Sequence, residues 1–396
     1  MEEVQRSEKI WSKNFIVTML ISTFATTAIT MQMGSLPIYV TQLGGSKALS
    51  GFIVGILGLS ALVTRFPVGV WLDKYGRKRL LLVGIFLLLL DFGLLTLYKT
   101  LLILFLLRMV QGIANSIQST TTSTIAADCI PSEHLAEGLG YYSIAQALPS
   151  AIGPLIGLTI AEKLGFQRLF QFAFVLVLIA FFLSFLVQDQ YVAEQKKTQT
   201  NIPNQEGDET LQAIFKRKSI LIPSAILFFI CFANSGVVSF LAQYAAEKHI
   251  GGAGYYFTVM SLVMVCVRFV LPNIFVYMKS FVLVVASIFL VGLAFFLIAW
   301  TTNFWGLIVA AVLYGVGYAS LLPIMNTIVL ENAASSERGK ATAIFSASLD
   351  VAYGGGVLLW GVVASLTNFT TMYLLCAIFV IISLILVVIY KKALSM

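Results

Sequence analysis

Twelve apolar runs, each long enough to cross a membrane as a helix, leave this chain almost no choice of fold. They lie at roughly 14–40, 50–72, 79–98, 101–128, 137–161 and 168–188, then 218–246, 254–278, 281–300, 303–330, 339–366 and 370–390. About 20 mostly apolar residues, wound as a helix, span the hydrocarbon core of a bilayer. With no water there, every backbone N–H and C=O must be satisfied internally, so such runs become helices. A soluble core is no alternative. Of the 396 residues 59% are hydrophobic and the mean hydropathy is +0.93, more apolar surface than a soluble fold can hide. The sequence predicts an all-α membrane protein with twelve transmembrane helices.

A formal charge of +7 could signal an acidic partner, but the placement of the charge gives a better reason. With the N-terminus inside, cytoplasmic segments hold 17 of the 25 Lys and Arg, and external loops only five: Lys47, Lys99, Lys163, Arg168 and Lys248. This is the positive-inside bias that orients membrane helices, so no nucleic-acid partner is expected. Cys129, Cys231, Cys266 and Cys376 lie in or beside spans without CxxC spacing and read as small apolar fillers. His134 and His249 fall in loops; neither a metal site nor a cofactor is expected. The N-terminal segment is too acidic, and the first span too long, for a cleaved signal peptide. No Walker-type phosphate loop or nucleophile elbow occurs, which argues against ATP-driven transport and membrane-bound hydrolysis.

The one long polar stretch, 189–217, divides the spans six and six. It reads as a cytoplasmic linker between an N-terminal bundle, 1–188, and a C-terminal bundle, 218–396. An offset of 203 residues aligns the halves: Gly51 with Gly254, Arg65-Phe66 with Arg268-Phe269, and Gly112 with Gly315. It also sets Asp128 on Glu331, Ser132 on Ser335 and Gly153 on Gly356. Duplicated six-span halves, with the substrate site between them near the midplane, are a transporter architecture.

Residues 69–79, "GVWLDKYGRKR", put five charges into the turn between the second and third spans. Lys74, Lys78 and Arg79 fit simple anchoring. Asp73 does not, since acids contribute little to orientation. Gly69 would let a neighbouring helix come close, and Gly76 can take a positive φ. Here the chain resembles the major facilitator superfamily, whose signature at this turn is matched by Gly69, Asp73, Gly76, Arg77 and Lys78. The resemblance implies a latch at the cytoplasmic ends of the two halves. In it, Arg77 pairs with Asp128 and Asp73 sits at the N-terminus of helix 11 near Gly339, where a carboxylate is favoured. "RMVQGIA" at 108–114 resembles the helix 4 motif of the drug:proton antiporter branch, with Arg108, Gln111 and Gly112 in place. "GYYSIAQALPSAIGPLIG" at 140–157 resembles that branch's helix 5 export motif. Gly140, Gly153, Pro154 and Gly157 match it, Pro149 replaces a Gly, and Leu158 replaces the last one.

Five ionisable residues lie well inside spans: Arg65, Asp91, Arg108, Arg268 and Asp350. Each costs at least ~2.5–3.5 kcal/mol to insert, which makes it a functional candidate by default. Depth puts Asp91 level with Arg108 on adjacent helices, as a static pair or a proton-responsive one. Arg65 and Asp350 are likewise level with each other, and a state-dependent bridge between them is the sharper hypothesis. Arg268 has no level acid; an anionic substrate, a carbonyl or water could each satisfy it. Arg108, Gln111, Asn115, Gln118 and Thr122 step by three and four residues along one face of helix 4. Thr23, Thr27, Thr30 and Gly34 do the same on helix 1. Helix 10 offers Tyr314, Tyr318 and Met325, helix 11 Ser346, Asp350 and Tyr353, and helix 7 Asn234 and Gln243. The resemblance places helices 1, 4, 7 and 10 around a central cavity; interhelical hydrogen bonding is the plainer role for any single Ser or Thr.

The combined reading is a monomeric secondary transporter in a bacterial cytoplasmic membrane, both termini inside, exporting a small organic molecule by proton antiport. Proton-coupled uptake of a sugar or organic acid, and a lipid translocator or passive facilitator, are the alternatives.

Overall fold

A computed structural model describes residues 11–131, 134–188, 217–277, 280–332 and 338–391. The described residues form α1 (Lys13–Thr30), α2 (Leu36–Gln42), α3 (Lys47–Tyr75), α4 (Arg77–Leu97), α5 (Leu101–Asp128), α6 (Leu135–Leu164) and α7 (Phe166–Phe185). Beyond the linker come α8 (Lys218–Glu247), α9 (Ala253–Tyr277), α10 (Ser280–Trp300), α11 (Phe304–Glu331), α12 (Arg338–Leu366) and α13 (Phe369–Ile389). Ten of these helices are long and apolar enough to cross a membrane, and α9 adds a shorter apolar stretch, Ala253–Val267. Val63, Leu102, Phe182, Phe289 and Leu366 stand exposed on them. That is the outside of a protein whose surroundings are lipid.

The remaining span is where the structure departs from the sequence reading. An unbroken first helix over 14–40 was expected, but α1 stops at Thr30 and α2 starts at Leu36. Gly34 has φ +73°, in the left-handed region, and Pro37 occupies the first turn of α2. A residue that leaves right-handed helix space and a proline that opens the next helix together end one segment and begin another. Gln32 lies inside the break and is fully buried. Broken backbone at membrane depth is tolerated only where protein or a cavity covers it, and Gln32 shows that protein does.

Packing sorts the chain into two compact units. The described residues within Met1–Met33 and Leu59–Pro203 form the first, those within Gly34–Gly58 and Asn204–Met396 the second. In the first unit α4 packs on α5 and α7, and α1 on α6 and α7. In the second α10 packs on α11 and α13, and α8 on α12 and α13. These are the same neighbours six spans later, so the pseudo-symmetry suggested by the 203-residue offset extends to packing.

One pair from that offset shows the repeat at atomic scale. A Cβ on Gly153 of α6 would strike Thr30, and one on Gly157 would strike the Met31 carbonyl. The partner of Gly153, Gly356 of α12, has no more room: a Cβ there would collide with Ser235 and lie 2.7 Å from the Phe232 carbonyl oxygen. Each glycine lets two helices of its unit touch backbone to backbone. Pro149 lacks the N–H that would reach the Ala145 carbonyl, and Thr23 Oγ1 of α1 donates to that oxygen at 3.1 Å. Thr30 Oγ1 donates to the Pro149 carbonyl at 3.0 Å. Two members of the helix 1 threonine stripe are thereby committed to the turn of α6 around Pro149.

Residues 34–58 were expected with the N-terminal bundle, yet they pack with the second unit. Glycines explain it. Added Cβ atoms on Gly51 and Gly55 of α3 would lie 2.7 Å from the Val357 and 2.9 Å from the Gly354 carbonyl oxygens of α12. Nearby, Lys47 Nζ reaches Glu247 Oε2 at 2.7 Å and lies 4.2 Å above the Phe369 ring.

Gly157→Leu should cost at least ~1–3 kcal/mol through forced separation of α1 and α6. The measurement is the melting temperature of the protein purified in detergent, which should fall. Gly69→Ala, where no atom among the described residues lies within 4 Å of the new Cβ, should not lower it.

Candidate functional site

The first unit gathers its buried polar residues around Arg108. This guanidinium, 2% exposed, sits on α5 between the helix 1 break and α4. Its Nη1 donates to Gln32 Oε1 at 2.8 Å and to Gln111 Oε1. Both amides must turn an oxygen toward the cation, so their NH2 groups face away. Gln111 Nε2 and Arg108 Nε are buried with no hydrogen-bond partner among the described residues. Asp91 of α4 is 1% exposed, and neither carboxylate oxygen accepts a hydrogen bond among the described residues. Arg108 is the cation whose charge acts on it, without a direct ion pair. Asp91, Arg108 and Gln111 are thus brought together. Gln32 was not anticipated; its signal was a Gln two residues before Gly34 in an apolar run.

Further along the same face of α5, half-buried Asn115 is followed by buried Gln118, whose Nε2 donates to Thr122 Oγ1 at 3.3 Å. Thr122 gives its own proton to the Gln118 carbonyl at 2.9 Å. The Tyr142 hydroxyl, 2.8 Å from Thr122 Oγ1, must then donate to it. Tyr142 accepts from Gln146 Nε2 at 2.9 Å and stands 3.3 Å from Ser22 Oγ. One phenol from α6 so ties α1, α5 and α6 together. It escaped the sequence reading because a single Tyr in a Tyr-Tyr pair carries no periodic signal.

At the turn into α4, Gly76 has φ +86° and Arg77 is buried. The Arg77 guanidinium pairs with Asp128 at the end of α5 through Nε and through Nη2, the latter 3.4 Å from Oδ1. Lys78 Nζ donates to the Phe185 carbonyl at 2.9 Å. For Gly69, where a close helix was expected, no atom among the described residues lies within 4 Å of an added Cβ. The Asp73 side chain, and with it the contact near Gly339, lies outside the described residues, as does the Arg268 side chain. Gly140 is helical backbone in α6, and Pro154 is buried there.

In the second unit Tyr314 is fully buried on α11 and stacks on Tyr318, rings 5.4 Å apart and 20° from parallel. The Tyr318 hydroxyl lies 3.4 Å from Cys231 Sγ of α8. Asn234, one turn further along α8, is buried with its Oδ1 unpartnered among the described residues. Tyr353 and Asp350 are half-buried on α12; Arg65 is half-buried on α3, in the first unit. The described residues contain no cluster able to hold a metal ion.

The family model of the Major Facilitator Superfamily matches residues 18–285 and 279–394. The chain belongs to that superfamily. Among similar superfamily proteins, the staphylopine export protein of Staphylococcus aureus is 26% identical over 364 residues, 88% of this chain and 89% of that one. The multidrug resistance protein MdtG of Serratia proteamaculans is 24% identical over 398 residues, 94% and 92% of the two chains. A crystal structure of the nucleoside transporter NupG superimposes with a TM-score of 0.71 over 97% of this chain and 100% of that one. At 17% identity, this likeness is one of fold. The chain is therefore a membrane transporter of the superfamily, with the all-helical, pseudo-symmetric architecture described above.

Tyr142→Phe removes the donor to Thr122 and leaves Ser22 and Gln146 without their common partner. It should cost about 1–2 kcal/mol, read as a lower melting temperature.

Proposed function

We propose that this transporter exports a small organic molecule across the bacterial cytoplasmic membrane in exchange for protons. One observation carries the reading: a buried arginine, fixed by two glutamines, faces an acid that accepts no hydrogen bond among the described residues, inside the membrane and beside a broken helix. A transporter has reason to keep such a costly arrangement; a passive scaffold does not. The helix 5 glycines support the direction. Gly153 and Gly157 sit where α6 touches α1, the kind of tight contact expected of an export-motif helix. The names of the two relatives, an export protein and a multidrug resistance protein, point the same way.

In the proposed cycle, Asp350 or Asp91 takes up and gives back a proton as its arginine partner, Arg65 or Arg108, changes. Substrate contacts come from Arg108, Gln111, Asn115 and Gln118, with Asn234, Arg268, Tyr314, Tyr318 and Tyr353 in the other unit. Thr30 has a smaller part, since its hydroxyl is engaged by the Pro149 carbonyl. Gly69, Asp73, Gly76, Arg77 and Asp128 form the cytoplasmic latch that is made and broken as access alternates. The protein acts as a monomer, with both termini in the cytoplasm and no cofactor.

The test is flux in proteoliposomes carrying an imposed pH gradient, with ethidium as a cationic and carboxyfluorescein as an anionic probe. Export by exchange requires probe movement opposite to proton movement, accelerated by the gradient. Asp350→Asn and Asp91→Asn should each slow it at least about tenfold if the residue is the coupling acid. Probe flux indifferent to the gradient overturns the proposal in favour of a passive route, and co-directional proton flux overturns it in favour of uptake.

A further inference from the structure

We propose that Arg108 is the seat of an anionic group, a carboxylate or similar oxyanion, on the transported molecule. The inference rests on the transporter reading above but not on the direction of transport. The hydrogen-bond pattern leads to it. Arg108 Nη1 is used twice, on Gln32 Oε1 and Gln111 Oε1. Those contacts fix the guanidinium plane and turn the Gln111 amide so that its nitrogen faces away. What remains near the cation is donor capacity without acceptors: Arg108 Nε and Gln111 Nε2, both buried and unpartnered among the described residues. Unpaired buried donors are costly, and a forked guanidinium matches the lone pairs of a carboxylate. A cationic ligand would find donors turned toward it and one carboxyl group it must share with Arg108.

Asp91 is the natural competitor for this seat. Its charge acts on Arg108, yet it makes no hydrogen bond or direct ion pair with it among the described residues. α7 also packs on α4 and carries one charged residue, Arg168, in its first turn; Val68 and Leu72 of α3 share a buried apolar cluster with Leu80 of α4, and α3 carries the half-buried Arg65. The seat is thus a contest between two anions, one on the protein and one on the cargo, for a single guanidinium. When the cargo's anion takes Arg108, Asp91 is left without its cation.

The experiment is equilibrium binding to the whole protein purified in detergent, followed as melting-temperature shift against ligand concentration, with no pH gradient and no transport step. The probes are benzoate, its uncharged analogue benzamide, and the cation benzyltrimethylammonium. Benzoate should stabilise the wild type where benzamide and the cation do not. Asp91→Asn, which removes the competitor, should tighten benzoate about tenfold. Gln111→Leu should weaken it about tenfold, and Arg108→Gln should abolish the effect. If Arg108→Gln fails to fold, the opposite responses of the Asp91 and Gln111 variants decide. Preference for benzyltrimethylammonium, benzoate binding unmoved by these substitutions, or no benzoate effect at all would each overturn the proposal. Since the readout is independent of flux, the seat can fail while export stands, and the reverse.

Discussion

A guanidinium in the middle of a membrane has to be surrounded by acceptors, and the first unit is organised around that requirement. Lipid supplies none, and the insertion cost is at least ~2.5–3.5 kcal/mol. Arg108 recruits one amide from its own helix and one from the break in helix 1. The break would itself be intolerable in lipid, because its backbone departs from helical pairing. Each irregularity therefore supports the other: the open turn presents Gln32 to the cation, and the cation fastens the open turn.

The close approach of α6 to α1 follows the same logic. Pro149 frees a carbonyl, Thr23 answers it, and the glycines at 153 and 157 bring the helices near enough for that answer to arrive. The stretch that resembles an export motif is here a device for seating one helix close against another while Thr23 answers the carbonyl that Pro149 frees. The second unit uses the same seam at Gly356 without a matching proline.

Much of this was visible in the amino-acid string because membranes impose simple rules. Twelve apolar runs, the charge asymmetry and the 203-residue offset all express constraints that act on local composition, and the helices and their repeated packing follow from them. The level depths of Asp91 and Arg108 were legible for the same reason, since helix rise converts residue number into height. Three features were not. The break at 31–35 depends on one glycine adopting positive φ, and a glycine in an apolar run more often signals only packing. Tyr142 acts through partners on three helices, which no linear pattern reveals. The attachment of 34–58 to the second unit depends on glycines of α3 meeting those of α12, residues far apart in the chain.

That last pairing has a consequence for biosynthesis. Gly51 and Gly55 leave the ribosome roughly 300 residues before Gly354 and Gly361, an interval of some ~15–60 s at ~5–20 residues per second. Throughout it, a smooth small-residue face of α3 sits in the bilayer without its mate. The first half of the molecule must therefore enter the membrane with the glycine face of α3 still waiting for the penultimate helix.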